Sequence, residues 1–154
     1  MGHNLSEHLA YSPAVMFVSV VFGVFFHELY KIDLVKTEWY AIAVYIGFFF
    51  LLMSPLLIMW AQSTRRNVID HPSSVTRETL HAGPYSFSRN PSYLGQLFLI
   101  GGLALLLNSL IILGVVFILF VYFTLYYIPR EEYMMKEDFG EEFGAYKKRT
   151  RMWI

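Results

Sequence analysis

The chain has 154 residues, enough for one domain, and 56% of them are hydrophobic whereas only 16% are charged. This composition excludes an ordinary soluble domain. The formal net charge is zero, and the absence of cysteine excludes disulfides, thiol catalysis and cysteine-ligated metal sites. The residues before the first apolar run include no Lys or Arg, so we expect no cleavable signal peptide.

Apolar runs predict four membrane-spanning helices, at about residues 13–30, 39–61, 93–107 and 110–128. As one helix, residues 93–128 would be about 54 Å long, far more than a bilayer core of about 30 Å. Because Asn108 and Ser109 interrupt this run, we predict that the last two spans form a tight helical hairpin. Gly101 and Gly102 would let the third span pack closely against a neighbouring helix.

Four spans place both termini and the connector 62–92 on one side of the membrane. Most of the basic residues fall on that side: Arg65, Arg66, Arg77, Arg89, Arg130, Lys136, Lys147, Lys148, Arg149 and Arg151. The opposite side carries only Lys31 and Lys36. Because Lys and Arg concentrate in cytoplasmic segments, we predict that the basic side is cytosolic.

A last helix is predicted at about residues 130–148. Met135, Phe139, Phe143 and Tyr146 recur there at helical spacing, with charged residues between them. This pattern is typical of an amphipathic helix at the cytosolic interface. The sequence therefore predicts an all-α integral membrane protein, with one membrane-embedded domain over residues 1–154.

Two polar motifs flank the predicted hairpin. The first is residues 83–95, GPYSFSRNPSYLG, in which two prolines restrict the backbone and two glycines relax it. The second comprises residues 131–132 (EE), 139–143 (FGEEF) and 146–149 (YKKR). A loop that only joined two helices would not need these prolines and glycines. The first motif therefore indicates a loop that presents backbone groups and an Arg to a small polar ligand.

In this order, the two motifs resemble the signature of the isoprenylcysteine carboxyl methyltransferase family of integral membrane enzymes. That signature has Gly-Pro-Tyr, a short spacer and Arg-His/Asn-Pro-x-Tyr-Leu-Gly, and later Glu-Glu, Phe-Gly-x-x-Tyr/Phe and a Tyr before a basic tail. The resemblance covers residues 76–151, about half of the chain. Asn90 stands where many relatives have His, so this position cannot titrate here.

The resemblance implies a site for S-adenosylmethionine beneath the connector and the last helix. The residues expected to line it are Glu78, Thr79, Leu80, Tyr85, Arg89, Asn90, Pro91, Ser92, Tyr93 and Glu131. The start of the third span offers N–H groups to a carboxylate, a Glu accepts from ribose hydroxyls, and tyrosine faces favour a sulfonium cation.

The expected catalytic residues are Arg130, Tyr127 and Glu132. In eukaryotic members of the family an Arg one turn before the Glu-Glu pair meets the substrate carboxylate. Tyr127 occupies that position here, and Arg130 lies three residues on, near the same helical face. A carboxylate acceptor needs no general base, whereas an amine or phenol acceptor would need Glu132 or Tyr127.

These features predict methyl transfer from S-adenosylmethionine to a lipophilic acceptor that arrives from the bilayer, for example a prenylcysteine carboxylate. The alternatives are a phospholipid N-methyltransferase, a sterol-type membrane reductase, and a non-enzymatic membrane scaffold or transport subunit. No metal is expected, because His71 and His81 lack ligand spacing. The basic cluster 147–149 is typical of attraction to anionic lipid, and no nucleic-acid partner is expected.

Overall fold

The structure, a computed structural model, describes residues 3–69 and 82–154. All regular elements in these two ranges are helical, and the one β-bridge there, Asp33 with Ser109, is isolated. The elements are α1 (His3–Tyr30), α2 (Thr37–Ile69), a 3₁₀ turn (Gly83–Ser86), α3 (Pro91–Leu106), α4 (Leu110–Tyr122), a π-helical turn (Phe123–Tyr127) and α5 (Ile128–Arg149).

Three stretches of the described helices are long and apolar enough to cross a membrane, namely Ser12–Tyr30, Thr37–Thr64 and Leu110–Glu137. The sequence predicted four such spans. The remaining apolar helix, α3, has 16 residues and reaches about 24 Å, short of a hydrocarbon core of about 30 Å. The chain is thus an all-helical protein with three candidate membrane spans and one shorter apolar helix.

The predicted division between a fourth span and a last helix at Pro129 is absent. The helix continues from Leu110 to Arg149 through the π-helical turn, where the N–H of Ile128 donates to the carbonyl of Phe123. A proline inside an α-helix removes one hydrogen bond and crowds the preceding turn, and the π-turn is located in the turn that precedes Pro129. The bend lies at Gly140 instead, whose φ of 53° favours glycine.

Close backbone contact joins α2 to α3. A Cβ atom at Gly102 would lie 2.8 Å from the Gly47 carbonyl oxygen, and one at Gly95 would lie 2.6 Å from Ile58 Cγ1. Ser54 Oγ donates to the Gly95 carbonyl at 2.8 Å within this interface. Only one glycine of the predicted Gly101-Gly102 pair serves the packing, because a Cβ at Gly101 would meet nothing within 4 Å.

The turn between α3 and α4 is fastened to the turn between α1 and α2. Asn108 adopts a left-handed conformation with φ of 49°, which Asn tolerates better than most residues. Its Oδ1 accepts from the Val35 N–H at 2.8 Å, and its Nδ2 donates to the Val35 carbonyl at 3.0 Å. The interruption expected at Asn108 and Ser109 is present. Its contacts with Val35 hold the α3–α4 turn against the α1–α2 turn.

Gly102→Ala should destabilise the protein by about 1–3 kcal/mol, because the added methyl would press on the backbone of α2, which cannot yield as a side chain can. Gly101→Ala is the matched control: it makes the same change in the same helix but enters open space. We expect it to be neutral or stabilising, since Ala favours a helix over Gly. Equilibrium unfolding in mixed detergent micelles measures both, and equal stability of the two variants would contradict the close contact.

Candidate functional site

The first polar motif begins as a shaped turn against the end of α2. Gly83 has φ of +56°, and a Cβ there would lie 2.7 Å from Thr64 Oγ1 and 3.1 Å from Trp60 Nε1. Pro84 is buried directly after it. The positive φ and the close contacts therefore favour glycine at position 83, and the restricted φ of Pro84 suits the helical turn that follows.

The end of the chain returns to this motif. We call residues 150–153 the C-terminal strap. The N–H of Arg89 donates to the Arg151 carbonyl at 3.0 Å, and Asn90 Nδ2 donates to the Met152 carbonyl at 3.0 Å. Sequence reasoning missed the strap, because its acceptors are backbone carbonyls, which leave no trace in residue identity.

A buried ion pair joins the two motifs. Arg89 Nε and Nη2 contact Glu132 Oε1 at 2.9 and 2.8 Å, and each side chain is only 9% exposed. Lys147 Nζ pairs with Glu132 Oε2 from the solvent side. Arg89 Nη1 also donates to the carbonyls of Lys147 and Thr150, at 3.0 and 2.6 Å. Arg89 thus links the turn, α5 and the strap through one guanidinium group.

Tyr85 and Tyr146 form a second link between the motifs. The buried Tyr146 hydroxyl donates to the Tyr85 carbonyl at 2.9 Å, and Phe143 packs beside them. Burial raises the pKa of Tyr146, with the Tyr85 and Glu132 side chains acting in the same direction. The hydroxyl therefore remains a protonated donor at neutral pH.

Aromatic packing connects the first turn of α3 with the π-turn. The ring of Tyr93 lies 5.0 Å from that of Phe123 and meets the Tyr127 ring edge-on at 5.5 Å. All three rings are buried. Tyr127, a predicted catalytic residue, thus touches Tyr93, a predicted cofactor residue.

A cavity of about 240 Å³ opens beside this packing, between α1 and the α4–α5 helix. Its walls bring together three of the predicted site residues with further tyrosines and apolar side chains: Tyr127, Arg130, Glu131, Tyr122, Tyr126, Val15 and Met134. A cation, a carboxylate and aromatic faces thus share one small space.

Several predicted site residues lie elsewhere. Glu78, Thr79 and Leu80 are outside the described residues. Pro91 and Ser92 open α3, and the side chain of the N-cap residue Asn90 makes no capping hydrogen bond there. Asn90 donates to the strap, while Arg89 and Glu132 pair with each other rather than lining the cavity. Within the described part of the chain, no group of three His, Asp or Glu residues is placed to hold a metal.

A family model for phospholipid methyltransferases matches residues 18–142, well over half of the chain and including most of both motifs. The chain belongs to the phospholipid methyltransferase family. This family falls within the same group of membrane methyltransferases as the isoprenylcysteine carboxyl methyltransferases, and it implies a membrane enzyme that uses S-adenosylmethionine. The narrower resemblance to the isoprenylcysteine enzymes is not supported by this match. No curated protein and no solved structure matched the chain.

Neutralising one member of the Arg89–Glu132 pair should cost about 3–5 kcal/mol of unfolding free energy, because the other charge is left buried. The variants are Arg89→Met and Glu132→Gln. The double variant should lose less than the sum of the single losses, since the two groups act together. Equilibrium unfolding of the four proteins in mixed micelles measures this coupling.

The exposed Glu28–Lys31 pair provides the control for this cycle, because its side chains are 65% and 70% exposed. Glu28→Gln should change stability by only about 0–1 kcal/mol. Additive losses at Arg89 and Glu132 would contradict their role as a coupled pair.

Proposed function

We propose that this protein transfers a methyl group from S-adenosylmethionine to the polar head of a membrane lipid, as a phospholipid N-methyltransferase. The observation that carries the proposal is the cavity between α1 and α4–α5, in which Arg130, Glu131 and Tyr127 meet on a chain of this family. Arg130 and Glu131 line one part of the cavity, and apolar side chains such as Val15 and Met134 line another.

The charges in this cavity favour a zwitterionic head group. The planar fork of Arg130 suits the oxygens of a phosphate, and Glu131 suits a nearby ammonium group. A carboxylate acceptor would match Arg130 but would be repelled by Glu131. Val15, Tyr122 and Met134 continue the wall with apolar surface, which suits a lipid presented from the bilayer.

The residues around the start of α3 fit the methyl donor. The N-terminus of α3, where the Asn90 side chain makes no cap, suits its carboxylate, while tyrosine faces suit a sulfonium cation. We therefore keep Tyr85, Asn90, Pro91, Ser92 and Tyr93 as its proposed contacts, with Glu78, Thr79 and Leu80 proposed from the motif alone. Glu131, predicted from the motif as a donor contact, lines the acceptor cavity, and we assign it to the acceptor. When bound, S-adenosylmethionine supplies an electrophilic methyl group with a neutral thioether as leaving group.

The chain's own residues position the acceptor and take its proton. An ammonium group must lose one proton before its nitrogen can attack, and Glu131 is the carboxylate in the cavity. Glu132 is the weaker candidate for this role, because it lies outside the cavity wall. Arg130 and Tyr127 then hold the head group in line, and such positioning provides most of the rate enhancement.

A second candidate is esterification of a prenylcysteine-type carboxylate. The motif resemblance and the exposed Arg130 favour it, and this acceptor is already ionised at neutral pH. Arg130 would then orient the carboxylate, and no proton acceptor would be needed. The two candidates predict different products from the same lipid mixture.

We also propose four membrane crossings, with both termini and the site in the cytosol and α5 at the interface. Although α3 is short, the Tyr40 hydroxyl donates to the Leu106 carbonyl at its end, and Asn108 binds the α1–α2 turn. These contacts support a position of α3 between the same two membrane surfaces as α2 and α4. The basic residues of the connector and of α5 support the orientation.

Arg130→Ala should lower turnover by on the order of 100-fold, because the head group loses its alignment while the donor keeps its contacts. Arg130→Lys should also be impaired, since the planar fork is lost. Protein in lipid nanodiscs is given a labelled methyl donor, with phosphatidylethanolamine or a farnesylcysteine compound as acceptor. Products are identified by mass spectrometry, and donor affinity is measured by calorimetry.

Lys136→Ala is the matched control, because Lys136 is an exposed cation of α5 outside the cavity wall. It should retain full turnover. Normal turnover by Arg130→Ala would remove Arg130 from the site. A labelled ester instead of a labelled amine would replace the first candidate by the second.

The orientation is tested with single cysteines in this cysteine-free chain. Ser63→Cys and Lys148→Cys should be protected from an impermeant thiol reagent in intact cells, whereas Lys36→Cys should react. All three positions are exposed. Labelling of Lys148→Cys but not of Ser63→Cys would require an odd number of crossings between them and would refute the four-span proposal.

A further inference from the structure

The C-terminal strap reaches the π-turn through the side chain of Trp153. The Trp153 Nε1–H donates to Thr124 Oγ1 at 3.2 Å, and the indole ring lies 5.2 Å from the ring of Phe120. Thr124 belongs to the π-turn, and Phe120 lies in the last turn of α4. Trp153 is partly buried and packs against the hydrophobic core. The end of the chain is therefore attached to the turn at which α4 passes into α5.

The hydroxyl group of Thr124 makes two hydrogen bonds. It donates its proton to the Phe120 carbonyl at 2.7 Å, which leaves a lone pair for the N–H of Trp153. An indole N–H can only donate, so both bonds have a defined direction. A Thr that bonds back to the preceding turn often bends its helix, and Thr124 does so where the π-turn begins. Through Thr124, Trp153 is thus linked to the backbone of the turn.

The first motif holds the strap on its other side. The Met152 carbonyl accepts from Asn90 Nδ2 at 3.0 Å and from the Ser88 hydroxyl at 3.4 Å. Ser88 and Asn90 are both buried. Because Trp153 directly follows Met152, two adjacent residues of the strap join a proposed donor contact, Asn90, to the π-turn.

The π-turn in turn carries the acceptor cavity. Two of its residues, Tyr126 and Tyr127, line that cavity, and Arg130 and Glu131 follow in the next helical turn. A hydrogen bond weakens steeply when it is bent, so the bond to the strap resists movement of the π-turn. A shift of about 1 Å in the groups that align a substrate can cost on the order of 100-fold in rate.

We propose that Trp153 is a positioning residue of the methyl-transfer site. Through Thr124 it holds the π-turn so that Arg130 and Glu131 face the acceptor, while the same strap binds the donor motif at Asn90. This assignment rests on the proposed methyl transfer to a lipid. In this role Trp153 aligns the acceptor residues with the donor motif and contacts neither reactant.

Three substitutions isolate the hydrogen bond from the packing around it. Trp153→Phe keeps an aromatic ring against Phe120 but removes the N–H, and Thr124→Val keeps the shape of the side chain but removes the hydroxyl. Thr124→Ser retains the hydroxyl and is the conservative variant. Ser63→Ala is the matched control, because the exposed Ser63 hydroxyl donates to the Trp60 carbonyl within α2.

Two measurements are made on protein in lipid nanodiscs. Turnover of phosphatidylethanolamine is followed with a labelled methyl donor, and donor affinity is measured by calorimetry. The direction of α5 is followed without any methyl transfer, by pulsed electron spin resonance between nitroxide labels on Gln62→Cys in α2 and Lys136→Cys in α5. Both positions are exposed, and the chain has no other cysteine.

Trp153→Phe and Thr124→Val should each lower kcat by about tenfold, because the acceptor residues lose their alignment. Donor affinity and the KM for the lipid should change less than about twofold. The distance between the two labels should shift or broaden in both variants. Thr124→Ser and Ser63→Ala should resemble the wild type, and the double variant should fall no further than either single one, since both changes remove the same bond.

A contact that only stabilised the fold would lower the unfolding temperature but leave kcat and the label distance of the folded protein unchanged, and that result would overturn the assignment. A loss in Thr124→Ser as large as that in Thr124→Val would overturn it as well. Both results leave methyl transfer itself intact. A wild type that neither binds the donor nor methylates lipid would instead refute the proposed function, and the positioning role would fall with it.

Discussion

The buried contact between Arg89 and Glu132 determines how the two halves of the site meet. These residues are 43 positions apart and come from the turn before α3 and from α5. Each is adjacent to a proposed site residue: Asn90 follows Arg89, and Glu131 precedes Glu132. A buried charge pair tolerates little displacement, because each partner alone is costly to bury. The same guanidinium donates to the carbonyls of Lys147 in α5 and Thr150 in the strap, so one group joins the turn, α5 and the strap.

Much of this architecture could be predicted from the sequence. Long apolar runs predicted the helices, and Asn108 marked the turn because few residues accept a left-handed backbone. The convergence of the two motifs followed from the hairpin between them. Arg89 and Glu132 were assigned separate chemical roles, because a long-range ion pair leaves no local pattern. The sequence did not predict the contacts of the strap, because they use backbone carbonyls, which every residue has.

Two cavities, of about 240 and 280 Å³, adjoin α4 and differ in their chemistry. One offers Arg130 and Glu131 within a tyrosine wall, and the other offers apolar side chains alone. The buried rings of Tyr93, Phe123 and Tyr127 belong to the core cluster. The first of these cavities lies where α4 passes into α5, on the side that faces α1.

The π-turn at that passage sets the direction in which α5 presents its side chains. Each residue of an α-helix turns the chain by about 100°, and a π-turn holds one residue more than an α-turn. Every side chain after Tyr127 is therefore rotated by roughly that angle from where an uninterrupted α-helix would put it. A regular α-helix of the same sequence would direct Arg130 and Glu131 to a different face, whereas deleting one residue from the turn would restore a regular helix and leave both side chains where they are. The irregular turn therefore sets the direction of α5, and a regular α-helix with the same number of residues would carry Arg130 and Glu131 to another side of the molecule.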